Sequence, residues 1–245
     1  MCFDISYALK KNEIEERFCA KFEKTKLFEP AYHVSAFSLP EVPIITNEKP
    51  DTIQLLTWGL IPHWSKDEET ADKIRMKTFN ARAETLFKKP SFKNPIKNKR
   101  CLVIADGFFE WRQVKGKNYP YYIRMTDEGP FAIAGIWDSW LNKEKDEAFN
   151  TFSMITTKAN PLLERIHNKK KRMPALLRKE DEKRWLNRNL SQKDIYLMLE
   201  PIDDSLLNAY PVSKMISYRK ENTNVPEVRK RFEYEELKFE QTNLF

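Results

Sequence analysis

The sequence predicts an α+β fold in which a largely antiparallel, barrel-like central sheet is flanked by helices. Segments rich in β-branched and aromatic residues dominate the middle of the chain, whereas helical patterns lie towards its two ends. Strands and helices do not alternate regularly, as they would in a doubly wound parallel sheet. With 245 residues, 41% of them hydrophobic, the chain suits one packed domain. We place this domain at residues 1–228 and predict a charged, partly ordered tail at residues 229–245.

The predicted helices flank the predicted strands in the order of the chain. Residues 12–24 are predicted to be helical because Ile14, Phe18 and Phe22 recur every four residues and Asn12 can cap the start. Runs separated by Pro, Asn, Gly and charged turns predict strands at residues 53–58, 101–105, 119–125, 131–137 and 151–157. Helical patterns return at residues 182–190 and 192–199.

The composition excludes several classes of protein. The three cysteines form no CxxC pair and the histidines are not clustered, so we expect neither a disulfide framework nor a metal site. The chain has five glycines and no GxGxxG or GxxxxGK motif, so we expect no nucleotide-phosphate loop and no cofactor. It also lacks a long apolar run and a signal-peptide pattern. We therefore expect a cytoplasmic, nucleoid-associated monomer without a membrane anchor.

Basic residues are concentrated in two runs, residues 88–100 and 167–172, and neither run contains an acidic residue. The net charge of the chain is +7. Each run taken alone is compatible with a solvated, lysine-rich surface. Two such runs beside candidate catalytic residues favour a polyanionic partner, and nucleic acid is the simplest one.

Cys2 would become the N-terminal residue if Met1 were removed, and it would then carry a free amine beside a thiol. Such an aminothiol traps aldehydes, because the amine forms a Schiff base and the sulfur closes on the same carbon to give a thiazolidine. An α-amine titrates near pH ~8, so part of it is neutral and nucleophilic in the cell. Ring closure within one residue is intramolecular and therefore fast. The N-terminus thus predicts covalent capture of an aldehyde.

Two further segments have residues suited to binding DNA. Trp58 and Trp64 enclose a Pro-containing loop on which an unstacked base could rest, although either tryptophan could belong to the core. His63, between them, is interpreted as a surface residue. Asn80 can orient a hydroxyl or carbonyl group, and Arg82 can bind a phosphate through two hydrogen bonds.

Glu110 and His167 are the candidate proton-transfer residues. Glu110 lies in an aromatic run, where it is either paired with Arg112 or buried with a raised pKa that suits proton transfer. His167 precedes a basic run and a Pro-containing turn, and imidazole exchanges protons near neutral pH. Lys169, Lys170, Lys171 and Arg172 follow it as candidate DNA contacts.

These segments occur together with Met1-Cys2 at the start and Tyr210-Pro-Val-Ser213 near the end of the domain. In this combination, the chain resembles the SOS-response-associated peptidase family of abasic-site processing proteins over about residues 1–220. The motifs are Trp58-Gly-x-x-Pro-x-Trp64, Asn80-Ala-Arg82-x-Glu84-Thr85, Ala105-Asp-Gly-Phe-Phe-Glu110-Trp111, and His167 with Arg172-Met-Pro174.

The resemblance implies a protein that crosslinks itself to abasic sites in single-stranded DNA and so shields them. The aldehyde of the opened sugar would be captured by Cys2. By the same resemblance, Asn80 would orient the substrate, Glu110 would transfer protons during Schiff-base formation, and His167 would assist opening of the sugar. Arg82 would hold the adjoining phosphate. This is lyase-type chemistry, accompanied by a peptidase activity directed at the chain's own N-terminus.

The chain departs from the family pattern at two places. Members commonly read Met-Cys-Gly-Arg, whereas this chain has Phe3 and Asp4, so a phosphate-binding arginine is missing. The usual Tyr-Asn-x-x-Pro stretch appears as residues 32–36, Tyr-His-Val-Ser-Ala. We expect lysines and arginines of the two basic runs to replace the lost charge.

Two other functions compete with this interpretation. In a cysteine peptidase or amidohydrolase, Cys2 would attack an acyl carbon and His167 would act as the base. In a non-covalent single-stranded-DNA binding protein, Cys2 would have no role. Separately, the end of the chain resembles the Gln-x-x-Leu-Phe peptides that bind the replication sliding clamp, with Gln241, Leu244 and Phe245 as contacts, although it could also be an incidental apolar tail.

Overall fold

The computed structural model describes residues 2–24, 27–218 and 221–237. The helices are α1 (Lys11–Phe18), α2 (Glu68–Arg75), α3 (Pro95–Asn98), α4 (Pro161–Ile166), α5 (Lys179–Trp185) and α6 (Gln192–Met198). The strands are β1 (Asp4–Tyr7), β2 (Lys21–Phe22), β3 (Ala31–Ser35), β4 (Glu41–Thr46), β5 (Lys49–Trp58), β6 (Asn80–Arg82), β7 (Arg100–Ala105), β8 (Gly107–Val114), β9 (Lys117–Met125), β10 (Phe131–Asn142), β11 (Glu147–Lys158), β12 (Arg172–Pro174) and β13 (Leu207–Pro211).

Strands β11, β10, β7, β4 and β5 pair in that order and form a closed barrel. The neighbouring strands along this path are antiparallel. The barrel closes through a short parallel pairing of β5 with β11, in which Thr57 lies opposite Thr151 and Trp58 opposite Phe152. All five strands predicted from the sequence lie within β5, β7, β9, β10 and β11. The predicted α+β class with a largely antiparallel, barrel-like sheet is therefore confirmed.

A second, antiparallel sheet positions the start of the chain. Its strand order is β13, β9, β8, β1 and β3, so β1 is paired on both edges. Asp4 lies opposite Phe109 of β8 on one side and Ser35 of β3 on the other. Because β1 is held between two strands, Cys2, which lies two residues before β1, has a fixed place beside Phe109 of β8.

The short strands β6 and β12 flank the final part of β11. Asn80 lies opposite Met154 and Arg82 opposite Thr156 in the parallel β6–β11 pairing. On the other edge of β11, Arg172 lies opposite Lys158. β11 therefore brings two segments that are ninety residues apart in the sequence to the same end of the barrel.

The first helix is shorter than predicted. The expectation of a helix over residues 12–24 with Asn12 as its cap was wrong, because α1 ends at Phe18 and its N-cap is Lys10. Cys19 adopts the left-handed conformation, with φ of 50°, and its backbone N–H bonds to the carbonyls of Glu15 and Glu16. This ends the helix. Phe22 is buried as the periodicity indicated, but it belongs to β2.

The later helices lie near their predicted positions. α5 begins three residues before the predicted start at residue 182, and the predicted end at residue 190 was wrong, because α5 ends five residues earlier at Trp185. α6 agrees with the prediction to within one residue. Among the described residues, every helix is too short or too polar to cross a bilayer.

Residues 221–237 pack back onto the second sheet. Asn224 accepts a hydrogen bond from the backbone N–H of Tyr32 at 2.7 Å, and the Tyr234 hydroxyl donates to the carbonyl of Val212 at 2.7 Å. Leu237 is fully buried. The residues predicted to contact a sliding clamp, Gln241, Leu244 and Phe245, lie outside the described residues.

Candidate active site

Cys2 is almost completely buried, with 1% of its surface exposed. Its Sγ lies 3.5 Å from the carbonyl oxygen of Asp4 and 4.0 Å from that of Phe109. Burial raises the pKa of the Cys2 thiol, and the negative charge of Glu110 acts in the same direction. The sulfur is therefore a protonated thiol near neutral pH that donates towards backbone carbonyls.

Asn80 is bonded directly to Cys2. Its Nδ2 donates a 2.8 Å hydrogen bond to the carbonyl oxygen of Cys2, and Asn80 is itself buried at the start of β6. Its Oδ1 is buried and has no hydrogen-bond partner within the described part of the chain. The amide thus holds Cys2 with one end, while the other end keeps an acceptor for a hydroxyl group.

Glu110 lies in β8 with 3% of its surface exposed. Burial raises the pKa of its carboxyl group to about 8. Its Oε2 is 3.4 Å from Nδ1 of His167, and its buried Oε1 has no hydrogen-bond partner among the described residues. The sequence left two environments open for Glu110, an ion pair with Arg112 or burial, and the structure shows burial. Glu110 is a neutral acid at pH 7 and can donate a proton.

His167 follows the last residue of α4. Its Nδ1 is 2.9 Å from the carbonyl oxygen of Arg172. Because a carbonyl only accepts, Nδ1 carries the proton and Nε2 is the nitrogen that can accept one. Burial lowers the pKa of His167 to about 4. The imidazole is therefore neutral near pH 7.

These four side chains form one cluster although they are far apart in the sequence. Cys2 is hydrogen-bonded to Asn80, its thiol is influenced by Glu110, and Glu110 contacts His167. The arrangement combines a sulfur nucleophile, a carboxylic acid and a neutral imidazole in a buried place. It can therefore donate and accept protons around a group bound at Cys2.

The predicted DNA contacts surround this cluster to different degrees. Arg82 is exposed and lies two residues after Asn80 in β6, hence on the same face of the strand. Lys169 and Lys170 are also exposed. Lys171 is paired with Glu164 at 2.7 Å. Arg82, Lys169 and Lys170 are thus the predicted contacts most accessible to a phosphate.

Arg172 is mostly turned inwards. It pairs with Glu84, and its Nη2 donates a 2.6 Å hydrogen bond to the carbonyl oxygen of Thr156. Because Glu84 follows β6 and Thr156 lies in β11, the guanidinium joins the segments that position Asn80 and His167. The carboxylate that pairs with Arg172, that of Glu84, belongs to the motif that begins at Asn80. The basic run at residues 167–172 contains no acidic residue, so it did not indicate this pairing.

The two tryptophans of the predicted stacking loop differ in burial. Trp58 is fully buried, donates a 2.8 Å hydrogen bond to the Phe79 carbonyl and stacks on Phe152. Of the alternatives left open by the sequence, Trp58 is a core residue. Trp64 is 45% exposed. It follows His63, whose Nδ1 lies 2.9 Å from Asp138 in β10.

Sequence reasoning missed a polar contact next to Cys2. Nε2 of His33 is 2.9 Å from Asp4 Oδ1, and Nδ1 of His33 is 2.7 Å from the Thr223 hydroxyl. Asp4 and His33 are two of the positions at which the chain departs from the family pattern. That both positions depart together was the signal that could have predicted their contact. A buried carboxylate without a hydrogen-bond partner would destabilise the fold next to Cys2.

Comparisons with known proteins identify the family of this chain. A family model described as SOS response associated peptidase (SRAP) matches residues 1–218. The Bacillus subtilis protein named Abasic site processing protein YoqW is 37% identical over 226 residues, which cover 91% of this chain and 97% of that protein. The Gallus gallus protein named Abasic site processing protein HMCES is 30% identical over 189 residues, covering 69% of this chain and 54% of that protein.

Solved structures show the same fold. A crystal structure of a protein from Bacteroides thetaiotaomicron superposes with a TM-score of 0.89 at 42% identity, covering 94% of this chain and 100% of that one. A protein from Bordetella bronchiseptica superposes with a TM-score of 0.75 at 25% identity, covering 86% of this chain and 100% of that one. The match of the family model and the identity to YoqW establish that this chain belongs to the SOS response associated peptidase (SRAP) family.

Proposed function

We propose that this protein senses abasic sites in single-stranded DNA and captures them as a thiazolidine through Cys2, once Met1 has been removed. The observation that carries this proposal is the 2.8 Å hydrogen bond from Asn80 to Cys2 together with the buried acid Glu110 beside the same thiol. The names of the relatives in Bacillus subtilis and Gallus gallus, abasic site processing proteins, agree with it.

The proposed reaction begins with the amine that removal of Met1 would create on Cys2. The amine adds to the C1′ aldehyde of the opened sugar and gives a carbinolamine. Glu110, with its pKa raised to about 8, protonates the hydroxyl group, which leaves as water and gives an iminium ion. The thiol then adds to the iminium carbon and returns its proton to Glu110. The overall reaction joins protein and DNA with loss of one water, and Glu110 ends in the state in which it began.

Asn80 and His167 have supporting roles in this scheme. Oδ1 of Asn80, which has no partner among the described residues, would accept a hydrogen bond from a sugar hydroxyl. Nε2 of His167 would accept the proton of the C1′ hydroxyl as the C1′–O4′ bond breaks and would pass it on to O4′, because the neutral imidazole keeps a lone pair at pH 7. Arg82, Lys169 and Lys170, all exposed, would bind neighbouring phosphates, and Trp64 and Lys171 would border the DNA.

A peptidase that cleaves other proteins is less well supported. A nucleophilic cysteine in such enzymes is a thiolate with a lowered pKa, stabilised by a nearby histidine. Here burial raises the pKa of Cys2, and the hydrogen bonds of its sulfur lead to the carbonyls of Asp4 and Phe109. We therefore propose that any peptidase activity is confined to the removal of Met1.

The test is incubation with single-stranded DNA that contains one abasic site, followed by denaturing electrophoresis and intact mass measurement. We expect an adduct whose mass is the sum of the DNA and the protein without Met1, less one water. The matched control is a variant with an additional N-terminal residue that blocks the Cys2 amine, and it should form no thiazolidine. An equal yield from this blocked variant would contradict the proposal and point to a lysine.

Salt dependence tests the role of the exposed basic residues. Non-covalent binding to a single strand weakens with salt at a log-log slope of about −0.7 for each neutralised phosphate. Lys170→Gln should make the slope shallower by about 0.7 if Lys170 contacts a phosphate. Lys193→Gln on α6 is the matched control and should leave the slope unchanged. Equal slopes for all three proteins would assign the lysine run to a solvated surface.

The C-terminal residues suggest an additional partner. We propose that Gln241, Leu244 and Phe245 bind the replication sliding clamp, and that the protein acts as a monomer in the cytoplasm near the nucleoid. Deletion of residues 241–245 should abolish clamp binding in a pull-down with purified clamp. The same deletion should leave adduct formation unchanged.

A further inference from the structure

Three phenylalanine rings meet beside the reactive cysteine. The ring centroids of Phe3 and Phe37 are 5.0 Å apart, those of Phe37 and Phe79 are 5.4 Å apart, and those of Phe3 and Phe79 are 6.2 Å apart. Phe3 is the neighbour of Cys2 in the chain and Phe79 is the neighbour of Asn80. The aromatic triangle, as we call Phe3, Phe37 and Phe79, therefore borders both bonded members of the site.

Two rings of the aromatic triangle belong to the body of the protein, but the third faces solvent. Phe79 is 2% exposed, and Phe3 is partly buried against the core. Phe37 is 60% exposed, which is the largest exposed fraction among the large hydrophobic residues of the described chain. Its ring thus rests on two other rings and leaves more than half of its surface exposed, next to the chain neighbours of Cys2 and Asn80.

The position of Phe37 is rigidly linked to that of Cys2. Phe37 lies in a short 3-10 turn, Ala36–Ser38, which ends at Leu39 with a left-handed φ of 53°. The backbone N–H of Ala36 donates a 2.7 Å hydrogen bond to the carbonyl of Phe3. On the other side, the Phe79 carbonyl accepts hydrogen bonds from the Trp58 indole and from the backbone N–H of Met154. The open ring is held by backbone bonds rather than by side-chain packing alone.

We infer that Phe37 is a stacking platform for the nucleobase next to the abasic site, an inference that rests on the proposed function. A single strand combines a charged backbone with bases whose flat faces are exposed, and it is bound by aromatic rings together with basic side chains. The exposed guanidinium of Arg82, two residues from Asn80, provides the basic part near the same cysteine. An abasic sugar offers no base of its own, so the adjacent base is the part of the lesion that a ring beside Cys2 can hold.

This role makes Phe37 a residue for binding and not for chemistry. Its ring has no proton to transfer, and the groups that react or exchange protons are Cys2, Glu110 and His167. Loss of the ring should raise the DNA concentration that gives half-maximal adduct formation and leave the maximal rate unchanged. Stacking on one base contributes enough for a change of about 5- to 100-fold.

The test is a double-mutant cycle between the protein ring and the DNA base. One oligonucleotide contains a single abasic site between normal nucleotides. In the other, the two flanking nucleotides are replaced by tetrahydrofuran analogues, which have neither a base nor an aldehyde. We expect Phe37→Ala to raise the half-saturating concentration about 5- to 100-fold on the first oligonucleotide and to have no effect on the second. Phe37→Trp should retain wild-type behaviour.

Leu197→Ala on α6 is the matched control, because Leu197 is 57% exposed and should affect neither oligonucleotide. The inference is overturned if Phe37→Ala weakens both oligonucleotides equally or neither of them. If the wild-type protein forms no adduct at all, the proposed function fails. In that case, the same cycle measured by fluorescence anisotropy of non-covalent binding still decides whether the ring stacks on a base.

Discussion

Cys2 and Cys101 are both buried in the same hydrophobic core, yet their surroundings differ. Burial raises the pKa of both thiols. Around Cys101, a Cβ added at Gly135 would lie 2.7 Å from the sulfur and 2.8 Å from Val103, so this thiol fills a tight apolar space in the barrel. Cys2 instead has Asn80 on its carbonyl and Glu110 nearby. Burial alone therefore does not distinguish the two thiols, whereas their polar neighbours and their places in the chain do.

The largest effect should come from replacing Cys2 by alanine, and the same replacement at Cys101 provides the comparison. Cys2→Ala removes the sulfur that closes the thiazolidine, so the denaturation-resistant adduct with abasic DNA should disappear on a gel. Cys2→Ser should leave only a labile linkage. Cys101→Ala should keep the adduct and lower the free energy of unfolding by about 1 kcal/mol, as measured by urea denaturation. A Cys101→Ala protein without adduct would erase the distinction between the two sites.

The acid beside Cys2 should have the next largest effect. Glu110→Gln keeps the shape but cannot donate a proton, so adduct formation should slow by about 10²- to 10⁴-fold. In the wild type, the rate should rise as the amine loses its proton and fall again as Glu110, with its pKa at about 8, ionises. In Glu110→Gln, the falling part of the pH–rate profile should be absent. An unchanged profile would exclude Glu110 as the proton donor.

Alkylation should separate the buried thiols from the exposed one. Cys19 is exposed, whereas Cys2 and Cys101 are buried. Because the thiolate is the reacting form and burial raises the pKa of both buried thiols, iodoacetamide at pH 7 should modify Cys19 at least about tenfold faster. Peptide mass spectrometry at timed intervals provides the measurement. Rapid modification of Cys2 in protein that retains Met1 would show that the site opens readily.

The smallest effect concerns stability. The folded-state pKa of Glu110, about 8, lies above its unfolded value, so the folded protein retains a proton that the unfolded chain loses. Stability therefore falls as the pH rises from about 4.5 to about 8, and the full penalty is present above the folded pKa. Glu110→Gln should raise the Tm at pH 8.5 by about 2–4 °C for each kcal/mol recovered, with little change at pH 4. A gain at pH 4 equal to that at pH 8.5 would contradict burial as the cause.

The strands could be predicted from the sequence, because they leave local patterns, and the candidate site residues were selected by local motifs in the same way. Alternation and β-branched residues marked β5, β7, β9, β10 and β11, and Cys2 was marked by its position after Met1. The end of α1 was not predictable in this way. The helical period continues to Phe22, but the left-handed backbone at Cys19 ends the helix and the pairing with β5 takes Phe22 into a strand.

Contacts between segments that are distant in the sequence could not be predicted from it either. Arg172 lies in a run without acidic residues, yet it pairs with Glu84, which is eighty-eight residues away. Trp58 and Phe37 also show this limit, since the tryptophan of the motif is buried, whereas Phe37, which no motif marked, is exposed against Phe3 and Phe79. The exposure of a side chain depends on which other helices and strands cover it. Those elements come from distant parts of the chain, so a local motif does not reveal it.

The sequence by itself determined the class of the fold and the chemical groups available for reaction, because strand patterns and functional-group chemistry are properties of single residues and their near neighbours. The tertiary structure decided the protonation states of those groups and which other residues contact them. Glu110 is an acid near neutral pH only because surrounding elements remove it from water. Cys2 meets Asn80 only because β1 is held between β3 and β8 while β6 pairs with β11. The free energies of desolvation and of hydrogen bonding arise from contacts between segments, and these contacts exist only in the folded chain.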